Sequence, residues 1–223
     1  MVKLNIVGIG PGSADYVTPI VRKIVLEAQI VIGAQRSLNL FDKDLHNERH
    51  ILTAKNLDEL LKYAVESNRK GKNVAILSTG DPGFSGLLKS VLNTNLITAS
   101  EINVIAGVSV IQVCATKLCL SWDNAGLFTF HQGNMNNTKK MELTACLKAG
   151  RNVILLPDAK TFAPKEIATH VIESGVNPET SVFICENMTL SDERITESTL
   201  EKVSAMGFGS LCVMVIKANR EEI

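Results

Sequence analysis

The sequence predicts an α/β fold built in two halves, and three observations carry that prediction. Short apolar runs rich in Val, Ile and Leu recur along the chain, separated by segments of helical period. The runs are near-continuous rather than alternating, the pattern of strands buried on both faces of a parallel sheet. Near Leu120-Ser121-Trp122-Asp123-Asn124 the series breaks and a new one starts, which divides the chain into domains at 1–119 and 120–223.

In chain order, residues 4–7 form a β-rich apolar run that ends in Gly8-Ile9-Gly10-Pro11-Gly12. Apolar residues at helical spacing follow over 17–28, and Ile30-Val31-Ile32 is a second buried strand closed by Gly33. A helix over 57–68, a strand over 74–77 and a helix over 86–92 continue the alternation. Residues 102–105 are a further strand, with a helix over 108–118 behind it. The second half offers strands at 127–130, 153–156, 181–185 and 211–216 and helices at 139–148 and 164–173. No internal repeat or low-complexity stretch is visible.

Bulk properties exclude several classes of function. A chain of 223 residues hides ~70% of its unfolded surface and needs no covalent staples. Apolar residues make up 45% and charged residues 21%, both globular norms. Lys plus Arg equals Asp plus Glu at 23 each, so no global field draws in nucleic acid or an anionic membrane. No apolar run approaches the ~18 residues of a membrane span, and Gly8 comes too early for a signal-peptide core after Lys3. Cys114, Cys119, Cys146, Cys185 and Cys212 lie in apolar stretches without metal-ligand spacing and read as reduced thiols, so no metal is expected and the setting is cytoplasmic. His46 and His50 are spaced like ligands on one helix face, yet Asp44 and Asn47 beside them suggest an exposed polar loop.

A glycine turn directly after a first strand marks a close approach of the backbone to something. The dinucleotide fingerprint needs glycine where Ser13 stands, and Pro11 removes an amide donor a pyrophosphate would use. No acidic residue closes the second strand, and no Gly-Lys-Ser/Thr follows, so nicotinamide and P-loop chemistry are excluded. Taken alone, the turn is structural or ligand-binding with equal force. Ser78-Thr79-Gly80-Asp81-Pro82-Gly83-Phe84-Ser85-Gly86 ends another strand, where open parallel sheets bind their ligands. Gly80 and Gly83 permit close approach and Asp81 is suited to accept hydrogen bonds. A third strand ends at Ala106-Gly107-Val108-Ser109, where Ser109 reads as an ordinary helix cap or as part of the same site.

These residues carry a resemblance. Val7-Gly8-Ile9-Gly10-Pro11-Gly12-Ser13 followed by Tyr16-Val17-Thr18-Pro19 resembles the opening motif of the tetrapyrrole methylases. Within that superfamily, five segments are similar to the branch that methylates C-5 of cobalt-precorrin-7 in cobalamin synthesis. They are Val31-Ile32-Gly33-Ala34-Gln35-Arg36, the 78–84 loop, Gly107-Val108-Ser109-Val110-Ile111-Gln112, Leu120-Ser121-Trp122-Asp123-Asn124, and Glu186-Asn187-Met188 through Asp192-Glu193-Arg194-Ile195. The likeness spans nearly the whole chain. One departure is that His131-Gln132-Gly133-Asn134 stands where the branch often has His-Gly-Arg, so an anion-pairing arginine is missing there.

The resemblance implies an S-adenosyl-L-methionine-dependent C-methyltransferase and a kinked two-domain homodimer. Its sheet is mainly parallel in the N-terminal half and mixed in the C-terminal half, with the cofactor folded between halves and a tetrapyrrole in an adjoining trough. Cofactor contacts map onto Pro11, Gly80, Asp81, Gly83, Phe84, Ser109 and Val110, then Leu156, Asn187 and Leu211. Arg36 and His131 are the expected substrate contacts, because the macrocycle carries many carboxylates. A sulfonium is already a good leaving group, so the protein's task is placement, and the catalytic residue stays unassigned. Asp15, His131 and Glu186 are conceivable bases, while Trp122 reads as a hinge-packing residue. Some relatives fuse a C-15 methyltransferase/decarboxylase; the chain ends at Ile223, so that activity is expected from a separate polypeptide. Alternatives are another ring position, a non-tetrapyrrole acceptor such as a modified histidine, or a binding protein without catalysis.

Overall fold

The computed structural model describes residues 3–41, 47–131 and 137–218. The chain divides into two compact units, Met1–Ser109 and Val110–Ile223, whereas the sequence reading draws the line at 119/120.

In the first unit, five strands pair in the order β3-β2-β4-β1-β5. They are β1 (Leu4–Gly8), β2 (Ile30–Gly33), β3 (Glu48–Ile51), β4 (Val74–Ser78) and β5 (Ile102–Ile105), and every pairing is parallel. Strand alternation sends Leu4, Ile6, Ile30, Ile32, Val74 and Ile76 to one face, against α3 (Leu57–Arg69) and α4 (Leu87–Asn93). It sends Val7, Val31, Ala75 and Leu77 to the other, against α1 (Pro19–Glu27) and α2 (Gln35–Asn39). Both faces are therefore covered, which is why β1, β2 and β4 read as near-continuous apolar runs. The one polar residue on β1, Asn5, is satisfied: it donates to Asn73 Oδ1 at 3.0 Å and accepts from Asn103 Nδ2 at 2.8 Å.

The second unit holds a mixed sheet in the order β6-β7-β10-β8-β9. Its strands are β6 (Gly126–Thr129), β7 (Val153–Leu156), β8 (Ser181–Glu186), β9 (Arg194–Thr199) and β10 (Cys212–Ile216). Only β6 and β7 run parallel; β10 is antiparallel to β7 and β8, and β9 to β8. One face packs Val182, Ile184, Met214 and Ile216 against α6 (Asn137–Lys148), α7 (Pro164–Glu173) and α8 (Leu200–Val203). The unit opens with α5 (Val110–Lys117).

Four elements escape the sequence reading: α2, β3, β9 and α8. Both strands lie at sheet edges and are mostly solvent-facing, so Glu48-Arg49-His50-Ile51 and Arg194-Ile195-Thr196-Glu197-Ser198-Thr199 lack an apolar run. His50 therefore sits on a strand rather than a helix or loop, and its Nε2 lies 2.8 Å from Glu48 Oε1. His46 and Gln132 lie outside the described residues.

Candidate functional site

The register of the first sheet brings three loops side by side. Gly8 pairs with Ser78 and Val7 with Ile105, so the carboxyl ends of β4, β1 and β5 are adjacent. The loops leaving them then meet backbone to backbone. Ile9 N–H donates to Ser78 O at 3.0 Å, and Gly80 N–H donates to Gly10 O at 2.8 Å, forming a single bridge. A Cβ on Gly8 would stand 2.5 Å from Gly107 N, and one on Gly107 would stand 2.3 Å from Gly80 O. No side chain fits at either position, so glycine is required by close approach. Gly10 and Gly80 need glycine for a second reason, φ values of +83° and +66°.

Asp81 locks this arrangement. Its Oδ1 accepts the Gly83 N–H at 2.8 Å and its Oδ2 accepts the Gly107 N–H at 3.1 Å. One carboxylate thus ties the loop after β4 to the loop after β5, in charge-assisted bonds stronger than neutral ones. Buried Ser78 helps in the same loop, its Oγ accepting the Leu87 N–H at 3.2 Å at the start of α4. Pro11 and Phe84 are half-buried, Gly83 is exposed and Ser109 is buried. Arg36, exposed on α2, donates from Nη2 to Thr79 Oγ1 at 3.5 Å, which brings it to the same edge. The structure therefore gathers Pro11, Gly80, Asp81, Gly83, Phe84, Ser109 and Arg36 at one edge of the first sheet. Val110 follows Ser109 directly and opens α5.

The second sheet collects its own group at one edge. Met214 opposite Leu155, and Cys212 opposite Glu186, place the end of β7 and the end of β8 beside the start of β10. Asn187 N–H donates to Leu211 O at 3.0 Å, so these two residues are joined directly. Leu156 ends β7, and its carbonyl accepts the Phe130 N–H at 2.9 Å from the end of β6. Next in the chain, His131 places Nδ1 3.0 Å from Pro157 O. A carbonyl only accepts, so Nδ1 carries a proton, and in the neutral ring Nε2 is the nitrogen with the free lone pair. Glu186 is different. It is 4% exposed, and its oxygens accept from Arg194 Nε at 3.0 Å, from Arg194 Nη2, and from Gly209 N–H at 2.8 Å. That carboxylate is committed to holding the turns around it. Asp15 is exposed in the 3-10 turn Ala14–Tyr16 and accepts from Ser13 Oγ at 3.3 Å.

Residues 8–12, 78–86 and 106–109 contain no cysteine, histidine or lysine. The space beside Gly80 is open, since a Cβ there would meet only Ser109 Cα, at 4.0 Å. The most buried thiols are in the second unit, where Cys114 donates to Cys185; that bond, then burial, pushes the Cys114 thiol up. Burial also pushes the Cys212 thiol up to about 12. Among the described residues no cluster of three or more His, Cys, Asp or Glu is placed to hold a metal ion. No described helix is long and apolar enough to cross a membrane. A cavity of about 200 Å³ lined by Leu147, Lys148, Val176, Asn177 and Thr180 opens at the other end of β8, away from this edge.

The profile of the tetrapyrrole (corrin/porphyrin) methylases matches residues 3–204. The probable cobalt-precorrin-7 C(5)-methyltransferase of Methanocaldococcus jannaschii is 39% identical over 219 residues, covering 98% of this chain and 99% of that protein. The cobalt-precorrin-4 C(11)-methyltransferase of the same organism is 25% identical over 226 residues, covering 96% of this chain and 86% of that protein. Among solved structures, the methyltransferase CobJ superposes with a TM-score of 0.81 at 15% identity, covering 98% of this chain and 95% of that one. At that identity the likeness concerns the fold, parallel sheet and mixed sheet together.

Proposed function

This chain belongs to the tetrapyrrole methylases and is a methyltransferase, and we propose that it methylates C-5 of cobalt-precorrin-7 in cobalamin synthesis, using S-adenosylmethionine. The observation that carries the ring position is identity over almost the full length, 39% to the C-5 relative against 25% to the C-11 relative of one organism. What favours this donor is the family itself, together with a glycine-built edge of the first sheet whose loops carry no cysteine, histidine or lysine.

When bound, the cofactor supplies a methyl group already activated on a sulfonium sulfur. The chain's residues hold and orient. Gly80, Gly83, Pro11, Phe84 and Ser109 are the proposed seat in the first unit, with Asp81 keeping the loops in register through Gly83 and Gly107. Val110, Leu156, Asn187 and Leu211 are proposed as further contacts in the second unit. Arg36 offers a guanidinium to a substrate carboxylate, a charge-assisted pairing that a planar fork suits. His131 presents Nε2 as the proton acceptor, a role for which Glu186 is already spent. The same reading carries a cytoplasmic homodimer and a separate C-15 methyltransferase/decarboxylase as partner.

The test is methyl transfer from labelled S-adenosylmethionine to a panel of cobalt-precorrins. Label in the C-5 position of cobalt-precorrin-7 is the expected result. Label at another ring position, or only in a non-tetrapyrrole acceptor, replaces the proposal by that acceptor.

A further inference from the structure

We propose that Asp192 is a positioning residue that fixes which end of the Asn187 carboxamide faces a ligand, so that Asn187 recognises a hydrogen-bond donor. This rests on the reading of Asn187 as a cofactor contact.

The turn from β8 to β9 spans residues 187–193, and most of it is held without Asp192. Asn187 and Thr189 have φ values of +50° and +69°, left-handed conformations that asparagine tolerates and a β-branched threonine adopts only under strain. Such strain persists only when the surroundings over-determine it. Here they do. Asn187 N–H is bonded to Leu211 O, Leu190 N–H to Asn187 O at 2.9 Å, and Glu193 N–H to Leu190 O at 3.1 Å. Glu193 Oε2 accepts the Thr189 N–H at 2.7 Å, while its Oε1 pairs with Lys117 Nζ of α5 at 2.9 Å. Beneath the turn, Met188 is 4% exposed.

Among the described residues the Asp192 side chain makes a single hydrogen bond, and it is directional. Its Oδ2 accepts from Asn187 Nδ2 at 2.8 Å. An ionised carboxylate has no hydrogen to donate, so only the nitrogen end of the amide can face it. The opposite amide orientation would set Oδ1 against Oδ2, two acceptors in contact. Asn187 Oδ1 is thereby turned away from Asp192, and it has no partner among the described residues. Asn187 is half-buried and Asp192 exposed, so the oxygen is offered from a fixed frame rather than from a free rotor. What it fits is an amine or hydroxyl hydrogen. S-adenosylmethionine carries both.

The test is a double-mutant cycle read by calorimetry with S-adenosylhomocysteine on the full chain, alongside thermal melts. Asp192→Ala should weaken binding roughly three- to ten-fold, the worth of one oriented hydrogen bond, with little change in Tm. In an Asn187→Ala background the same substitution should have no further effect, because its only route to the ligand is gone. Equal weakening in both backgrounds, or wild-type affinity for Asp192→Ala, overturns the positioning role while leaving the cofactor reading intact. A wild-type chain that binds no S-adenosylhomocysteine overturns that reading and this proposal together.

Discussion

Gly107 and Gly80 stand at the same sheet edge for different physical reasons, and that difference separates their variants. At Gly107 an added Cβ meets three backbone atoms, Gly80 O at 2.3 Å and Gly8 C and O at 2.5 Å, none of which can rotate away. Gly107→Ala must force β1, β4 and β5 loops apart, at ~1–3 kcal/mol in the manner of an overpacked core. At Gly80 the neighbourhood is open and only the φ of +66° resists a side chain, at ~1–2 kcal/mol. We expect Gly107→Ala to abolish S-adenosylhomocysteine binding and to lower Tm by several degrees. Gly80→Ala should lower Tm less than Gly107→Ala and weaken binding without abolishing it. Calorimetry and melts on the two variants check this, and a Gly107→Ala protein of unchanged affinity contradicts the contact between loops. The sequence made these glycines conspicuous by their place after strands. It could not show that Gly8 and Gly107 touch, since their contact depends on β5 pairing with β1 across about a hundred residues.

Elements were legible in proportion to how apolar their surroundings are. β1, β2 and β4 are covered on both faces and announce themselves as runs dominated by Val, Ile and Leu. β3 and β9, at the edges, are stabilised through one neighbour and carry charge, so their sequences resemble loops. For the same reason the turn before β9 was visible as a motif but not as a braced structure. Its brace has a pH signature. The hydrogen bond from Lys117, then the Thr189 N–H, hold the Glu193 carboxyl below its ordinary value. A depressed carboxyl contributes stability that is present at neutral pH and lost as pH falls through the folded pKa. With both partners partly exposed, the contribution is ~0.3–1 kcal/mol. Glu193→Gln should therefore melt slightly below wild type at pH 7, and the gap should close below about pH 4, where carboxylates protonate. A gap that persists unchanged at pH 3 argues against the ion pair as its source.

At the scale of the whole molecule, the two units divide the work in their sequences as in their sheets. In the first unit, three strands of an all-parallel sheet end together, and the site residues sit where such sheets bind ligands. In the second, antiparallel pairing brings the end of β8 to the start of β10, and Asn187 and Leu211 are neighbours for that reason alone. The parallel half was legible from strand–helix alternation. In the mixed half four strands were legible as apolar runs, but their mixed directions only through resemblance, because apolar runs give no strand direction. If glycine backbone at the first sheet's edge holds a sulfonium donor, as proposed, then hydrogen–deuterium exchange with and without S-adenosylhomocysteine should register it there. Slowed exchange at residues 8–12, 79–84 and 106–109 is the expected result; protection confined to other segments, with these three unchanged, overturns the proposed seat.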